Sequence, residues 1–156
     1  MAGQIVNQAQ TATPGTPVTV LHVNTTSQAT TGTSEEVLAT YTLPANTLSA
    51  DGKALRIQAW CTTAANTNSK TFQIRVGGIG GVSVASTATA TSGAALALTS
   101  TVIRTGASTQ VATGSGLNYT TPNRNTAATI DIVVLGTTGT AAGDLTFRAL
   151  LVEALN

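Results

Sequence analysis

The chain has 156 residues and a net charge of +1, and only 8% of its residues are charged while 42% are hydrophobic, against about 25% charged in ordinary soluble domains. That length predicts one domain able to bury a core without metal or disulfide staples. The balanced charge, with no Lys/Arg cluster, excludes the electrostatic footprint of a nucleic-acid binder, and no run approaches the roughly 18 consecutive apolar residues of a membrane helix.

In chain order, residues 1–15 contain few large apolar groups and no period, and read as an extended arm ahead of a single domain over 16–156. Within the arm, Gln4, Ile5 and Val6 are the candidate contact residues. Fully extended, such an arm spans up to about 50 Å. Met1 to Thr19 has no Lys or Arg and no continuous apolar run, so no secretory signal is expected.

Pro17 to Val23 reads as a first strand, with Val18, Val20 and His22 on one side and Thr19, Leu21 and Val23 on the other. A polar loop, Thr25 to Ser34, leads to a strand from about Glu35 to Leu43. The clearest period of two follows: Leu55, Ile57, Ala59 and Cys61 alternate with Arg56, Gln58 and Trp60, then Phe72, Ile74 and Val76 alternate with Thr71, Gln73 and Arg75. Between these strands, Thr62 to Ser69 is small and polar and must be a loop. Gly77-Gly78-Ile79-Gly80-Gly81 predicts a tight turn into a strand from Val82 to Ser86. Ala94 to Arg104 and Ser108 to Leu117 read as a hairpin, and Ala128 to Leu135 and Leu145 to Glu153 as the closing strands.

About eight strands and no capped helix predict an all-β fold, an antiparallel β-sandwich of jelly-roll-like type. The last two strands are apolar on both faces, so each is either central in a thick core or part of a subunit interface. Leu150 and Val152 are therefore candidate contact residues, with dimers and trimers both allowed. Arg56, Gln58 and Trp60 form the outward side of their strand, and tryptophan and arginine are enriched where interfaces concentrate their energy.

Reactive chemistry is scarce. His22 is the only histidine and has no Gly-x-Ser-x-Gly elbow to partner it. One His, one Cys and six scattered acids give no zinc or calcium ligand spacing. Glu35 and Glu36 are adjacent, which on a strand sends their carboxylates to opposite faces. The glycine run lacks the Gly-Lys-Ser/Thr ending and following helix of a phosphate loop. Cys61, on the apolar side of its strand, reads as a small core residue. The expectation is a non-enzymatic protein without metal or cofactor.

The segment Tyr41 to Leu48, then Asp51 to Ile57, then Asn66 to Phe72, together with the closing Arg148 to Glu153, resembles virion structural proteins of tailed bacteriophages. The resemblance covers the central third and the C-terminal strand. It implies a jelly-roll sandwich that assembles on a larger particle, as head decoration (cement) proteins do. On that resemblance the expected partners are the major capsid protein and further copies of the same protein. The expected place is the outer surface of the capsid, after synthesis in the bacterial host cytoplasm. A tail- or fibre-associated module binding a cell-surface glycan is the alternative, with Trp60, Tyr41 and Tyr119 as its few aromatic candidates. The low charge fits a permanent protein contact, because few charges must be stripped of water when such a surface is covered.

Overall fold

Alternation and β-branched residues give eleven strands in the computed structural model, which describes residues 18–155. They are β1 (Val18–Asn24), β2 (Gln28–Ala29), β3 (Glu36–Leu43), β4 (Ala54–Thr63), β5 (Lys70–Val76), β6 (Val82–Thr89), β7 (Ala95–Gly106), β8 (Thr109–Gly114), β9 (Leu117–Thr120), β10 (Ile130–Thr138) and β11 (Leu145–Leu155). They form two antiparallel sheets. The larger has the order β1-β11-β4-β7-β8-β9, with β2 also on β11, and the smaller has the order β3-β10-β5-β6.

Eight of these strands make a nested set of antiparallel pairs: β5 with β6 innermost, then β4 with β7, β3 with β10, and β1 with β11 outermost. A long hairpin of paired strands rolled into two sheets is the jelly-roll arrangement. The strand count exceeds the expected number because β2 is not among the expected strands and one expected strand is split into β8 and β9. The stretch expected as one strand from Ser108 to Leu117 is broken at Ser115-Gly116, where Gly116 has φ 72°. A side chain there would meet the Ser86 carbonyl oxygen at 2.0 Å, and one at Gly114 would meet that of Val84 at 2.1 Å. The two glycines let the β8–β9 turn lie against β6 of the other sheet, where the Ser86 N–H donates to the Ser115 carbonyl at 2.8 Å.

The core is where the two inner faces meet. Ile57, Ala59 and Cys61 of β4 and Phe147, Leu150 and Val152 of β11 pack toward Phe72, Ile74 and Val76 of β5 and Ile132 and Val134 of β10, all at most 2% exposed. The alternation in β4 and β5 holds residue for residue. In β1 it holds only as far as Leu21, which packs on the core, because a bulge between Val20 and His22 turns His22 inward beside Val152, off the side of Val18 and Val20 where alternation places it, and leaves Val23 outward.

Burial of Cys61, 1% exposed, pushes its thiol up to about 12. The folded protein is therefore expected to be inert to a disulfide reagent at about pH 8 and to react at once in denaturant, because the thiolate is the nucleophile. Thiol titration with and without guanidinium checks this, and a native reaction as fast as the denatured one would contradict it.

Candidate functional site

The outward face of the larger sheet gathers the side chains that the core leaves over. Register places Trp60 between Ala149 of β11 and Ala97 of β7, Gln58 between Leu151 and Thr99, and Arg56 between Glu153 and Thr101. At the β1 edge, Val23 extends the Gln58 row beside Leu151, and Val20 extends the Arg56 row beside Glu153. Val18, Val20 and Val23 are 48%, 55% and 59% exposed, three open apolar side chains on one edge strand. Arg56 Nε donates to Glu153 Oε2 at 2.6 Å, so the two charges in the middle of the face cancel. Arg148, the bulged residue of β11, donates to the hydroxyls of Thr62 and Ser27.

Arg56, Gln58 and Trp60 thus share one face, as their spacing predicts. Leu150 and Val152 do not join them. Both are fully buried in the core, because the bulge between Phe147 and Ala149 fixes which side of β11 turns inward. The outward residues of that strand are Ala149, Leu151 and Glu153. Gln4, Ile5, Val6 and the predicted arm lie outside the described residues.

Strand β10 takes the first of the two alternatives left open for a strand apolar on both faces, a place within the protein's own packing. Its two apolar faces need no subunit partner, since Val133 and Leu135 on the outer side are 4% and 1% exposed within the protein itself. Val133 lies in register between Thr40 and Arg75, and Leu135 between Val37 and Gln73. The Arg75 guanidinium makes a two-pronged contact with Glu35, at 2.9 and 2.6 Å, and donates to Gln73 at 3.0 Å. This tied polar layer covers the two apolar side chains, as the aliphatic stems of long charged residues can.

Each of the six acids is committed to a structural contact. Glu35 holds Arg75, Glu153 holds Arg56 and Asp51 holds Arg104. Glu36 accepts from the backbone N–H groups of Thr31 and Gly32 and from the Thr31 hydroxyl; the Thr31 N–H above all holds its carboxyl below the usual carboxylate range. Asp131 accepts from Thr42 Oγ1 at 2.7 Å, and Asp144 from the amides of Asn66 and Asn68. His22 stacks on Tyr41 of the other sheet, ring centroids 4.5 Å apart, with no hydrogen-bond partner for its buried Nε2 among the described residues. No three of His, Cys, Asp and Glu come together as a metal-ligand group among the described residues. What this surface offers is an apolar contact with a neutralised charge pair at its centre.

No protein-family model and no curated protein matches the sequence. Among solved structures, the CBM2 module of Lactobacillus casei BL23 phage J-1 evolved Dit is 10% identical, with a TM-score of 0.40 over 75% of this chain and 69% of that one. A structure of infectious bursal disease virus, Gx strain, is 11% identical, with a TM-score of 0.42 over 90% of this chain and 33% of that one.

Proposed function

We propose that the protein is a structural component of a bacteriophage virion, a decoration protein that binds the outer surface of the major capsid protein lattice and stabilises the head. The outward face of the larger sheet is the contact surface in this reading. The observation that carries the proposal is the row of exposed valines on β1 continuing into Leu151, Gln58 and Trp60, on a face whose central charges already neutralise each other. Covering such a face removes apolar area from water and strips few charges. The sparse charge of the whole sequence and the resemblance of its strand and turn signals to tailed-phage virion proteins support the same role.

Placing a carboxylate on this face tests it. The double substitution Val23→Asp and Leu151→Asp puts two charges where the partner would cover them, and is expected to weaken binding to purified capsids at least tenfold, about 1.4 kcal/mol. Co-sedimentation measures this, with circular dichroism checking that the variant is folded. Unchanged capsid binding by the folded variant would defeat the proposal. Glycan-array binding that disappears in Trp60→Ala, with no capsid association, would favour a tail- or fibre-associated glycan-binding module.

A further inference from the structure

The connection from β9 to β10 fixes an arginine in an unusual setting. Gln110, 1% exposed, clamps the backbone of Arg124 from both sides: its Nε2 donates to the Arg124 carbonyl and its Oε1 accepts from the Arg124 N–H, each at 2.7 Å. Two residues on, Thr126 is buried and donates twice to the Ala107 carbonyl, through its N–H at 2.9 Å and its hydroxyl at 3.0 Å. The loop is therefore held to the β7–β8 turn, and the starting point of the Arg124 side chain is set.

The guanidinium then lies against Gly77. A Cβ at that position would fall 2.1 Å from Nε and 2.2 Å from Cζ, and Gly77 has φ 99°, so both the backbone angle and the space require glycine. Arg124 Nε is buried and has no hydrogen-bond partner among the described residues. Arg56, Arg75 and Arg104 each face a carboxylate and Arg148 bonds two hydroxyls, whereas no carboxylate pairs with Arg124 among the described residues. A buried donor without an acceptor is costly, so a cation held this way is primed for a ligand. Beside it is a cavity of about 220 Å³, lined by Arg124, Gly77, Asn125, Thr129 and Asp131 among others.

We propose that this pocket binds the side-chain carboxylate of an aspartate or glutamate of a partner polypeptide on the Arg124 guanidinium. The planar fork of an arginine matches a carboxylate with two parallel N–H···O contacts. Asp131 on the cavity wall narrows the ligand class: its negative charge opposes a doubly charged phosphate more strongly than a singly charged carboxylate. No aromatic side chain lines the cavity, so an acidic sugar would find no stacking surface there. The pocket belongs to the ends of β5 and β10 in the smaller sheet and is separate from the face assigned to capsid binding.

The test is a titration of isotope-labelled protein, followed by amide chemical shifts, with acetyl-glutamate amide, acetyl-glutamine amide, glucuronate and inorganic phosphate. The glutamate compound is expected to shift the amides of Gly77, Asn125 and Thr129 with saturation in the millimolar range, at least tenfold more weakly in Arg124→Gln. That variant keeps the backbone atoms held by Gln110, so its fold is expected to survive; its spectrum away from the loop checks this. Gly77→Ala, which displaces the guanidinium without removing its charge, is expected to weaken binding in the same direction if it folds. Absence of shifts up to about 50 mM, an equal response to the glutamine compound, preference for phosphate or glucuronate, or undiminished binding by folded Arg124→Gln would each overturn the proposal.

Discussion

Phe147→Ala is expected to cost about 3–5 kcal/mol of unfolding free energy, the largest loss of any single truncation in this core. The protein has two phenylalanines, and both are 0% exposed, Phe72 from the smaller sheet and Phe147 from the larger. The other large hydrophobic side chains that are fully buried are Leu and Ile, so the rings supply bulk that no neighbour can replace. Phe147 also sits where β11 bulges, paired with Cys61 of β4 and with Gln28 of the short β2. Two hydrogen-bonded sheets cannot close on the gap that truncation leaves, and the cavity penalty adds to the lost transfer energy. For a domain of this size the loss corresponds to a fall in Tm of about 6–20 °C. Denaturant unfolding with an unchanged slope measures it, and a loss under about 1 kcal/mol would show that the site repacks. Tyr119→Ala, at 63% exposure, is the control expected to change little.

Lys70→Ala is expected to be comparably severe, about 3–5 kcal/mol, for an electrostatic reason. Lys70 is fully buried, and its ammonium donates to the Asn66 carbonyl at 3.1 Å, to Asn66 Oδ1 at 2.7 Å and to the Asn68 carbonyl at 2.9 Å. Both asparagine side-chain amides bind Asp144: Asn66 Nδ2 donates to Oδ1 at 2.6 Å and Asn68 Nδ2 to Oδ2 at 2.7 Å. Opposite charges are thus joined through the Asn66 side-chain amide, oxygen toward the lysine and nitrogen toward the aspartate, and through the backbone carbonyl and side-chain nitrogen of Asn68. Removing the lysine takes a donor from three acceptors, of which Asn66 Oδ1 keeps only the Asn68 N–H, and leaves the Asp144 carboxylate, 3% exposed, without its counter-charge. Lys70→Met with Asp144→Asn, which removes both charges, is expected to recover much of the loss, and a double-mutant cycle in denaturant measures the coupling. Additive losses would refute it.

The same network has a pH signature. The Asn68 and Asn66 amides, with the Lys70 charge, hold the Asp144 carboxyl below the ordinary carboxylate range. A carboxyl lowered on folding adds stability that is present above its unfolded value and is lost as pH falls through its lower folded value. Acid should therefore erode the native protein more steeply than Asp144→Asn, as denaturant midpoints across a pH series would reveal.

The sheets themselves were largely legible because alternation is local. Leu55 to Cys61 and Phe72 to Val76 announce their inner faces within seven residues, and the sandwich class follows from repeating such segments. Strand β11 was legible as a strand but not as an orientation. Apolar on both sides, it offers no period to choose a face, and the bulge at Arg148 shifts the choice by one residue, which is how Leu150 and Val152 exchange roles with Leu151. The turn that separates β8 from β9 did carry a signal, the Gly114-Ser115-Gly116 triplet, among too many other small residues to stand out. The Asn66–Asn68–Lys70–Asp144 network and the Arg124 pocket had none. Both join loops or strand ends far apart in sequence, and only the order of strands brings them together.

That order also dictates a schedule. Of the four nested pairs, only β5 and β6 are neighbours in sequence, and Val18 must find Leu155 at the far end of the described structure. Each successive pair closes a longer loop before any contact rewards it, which places the domain among the slower folders, on the order of milliseconds to seconds. During synthesis β1 leaves the ribosome first and waits longest, its valines bare until β11 arrives. The strand that we assign to partner binding is thus also the one most in need of protection while the protein is being made.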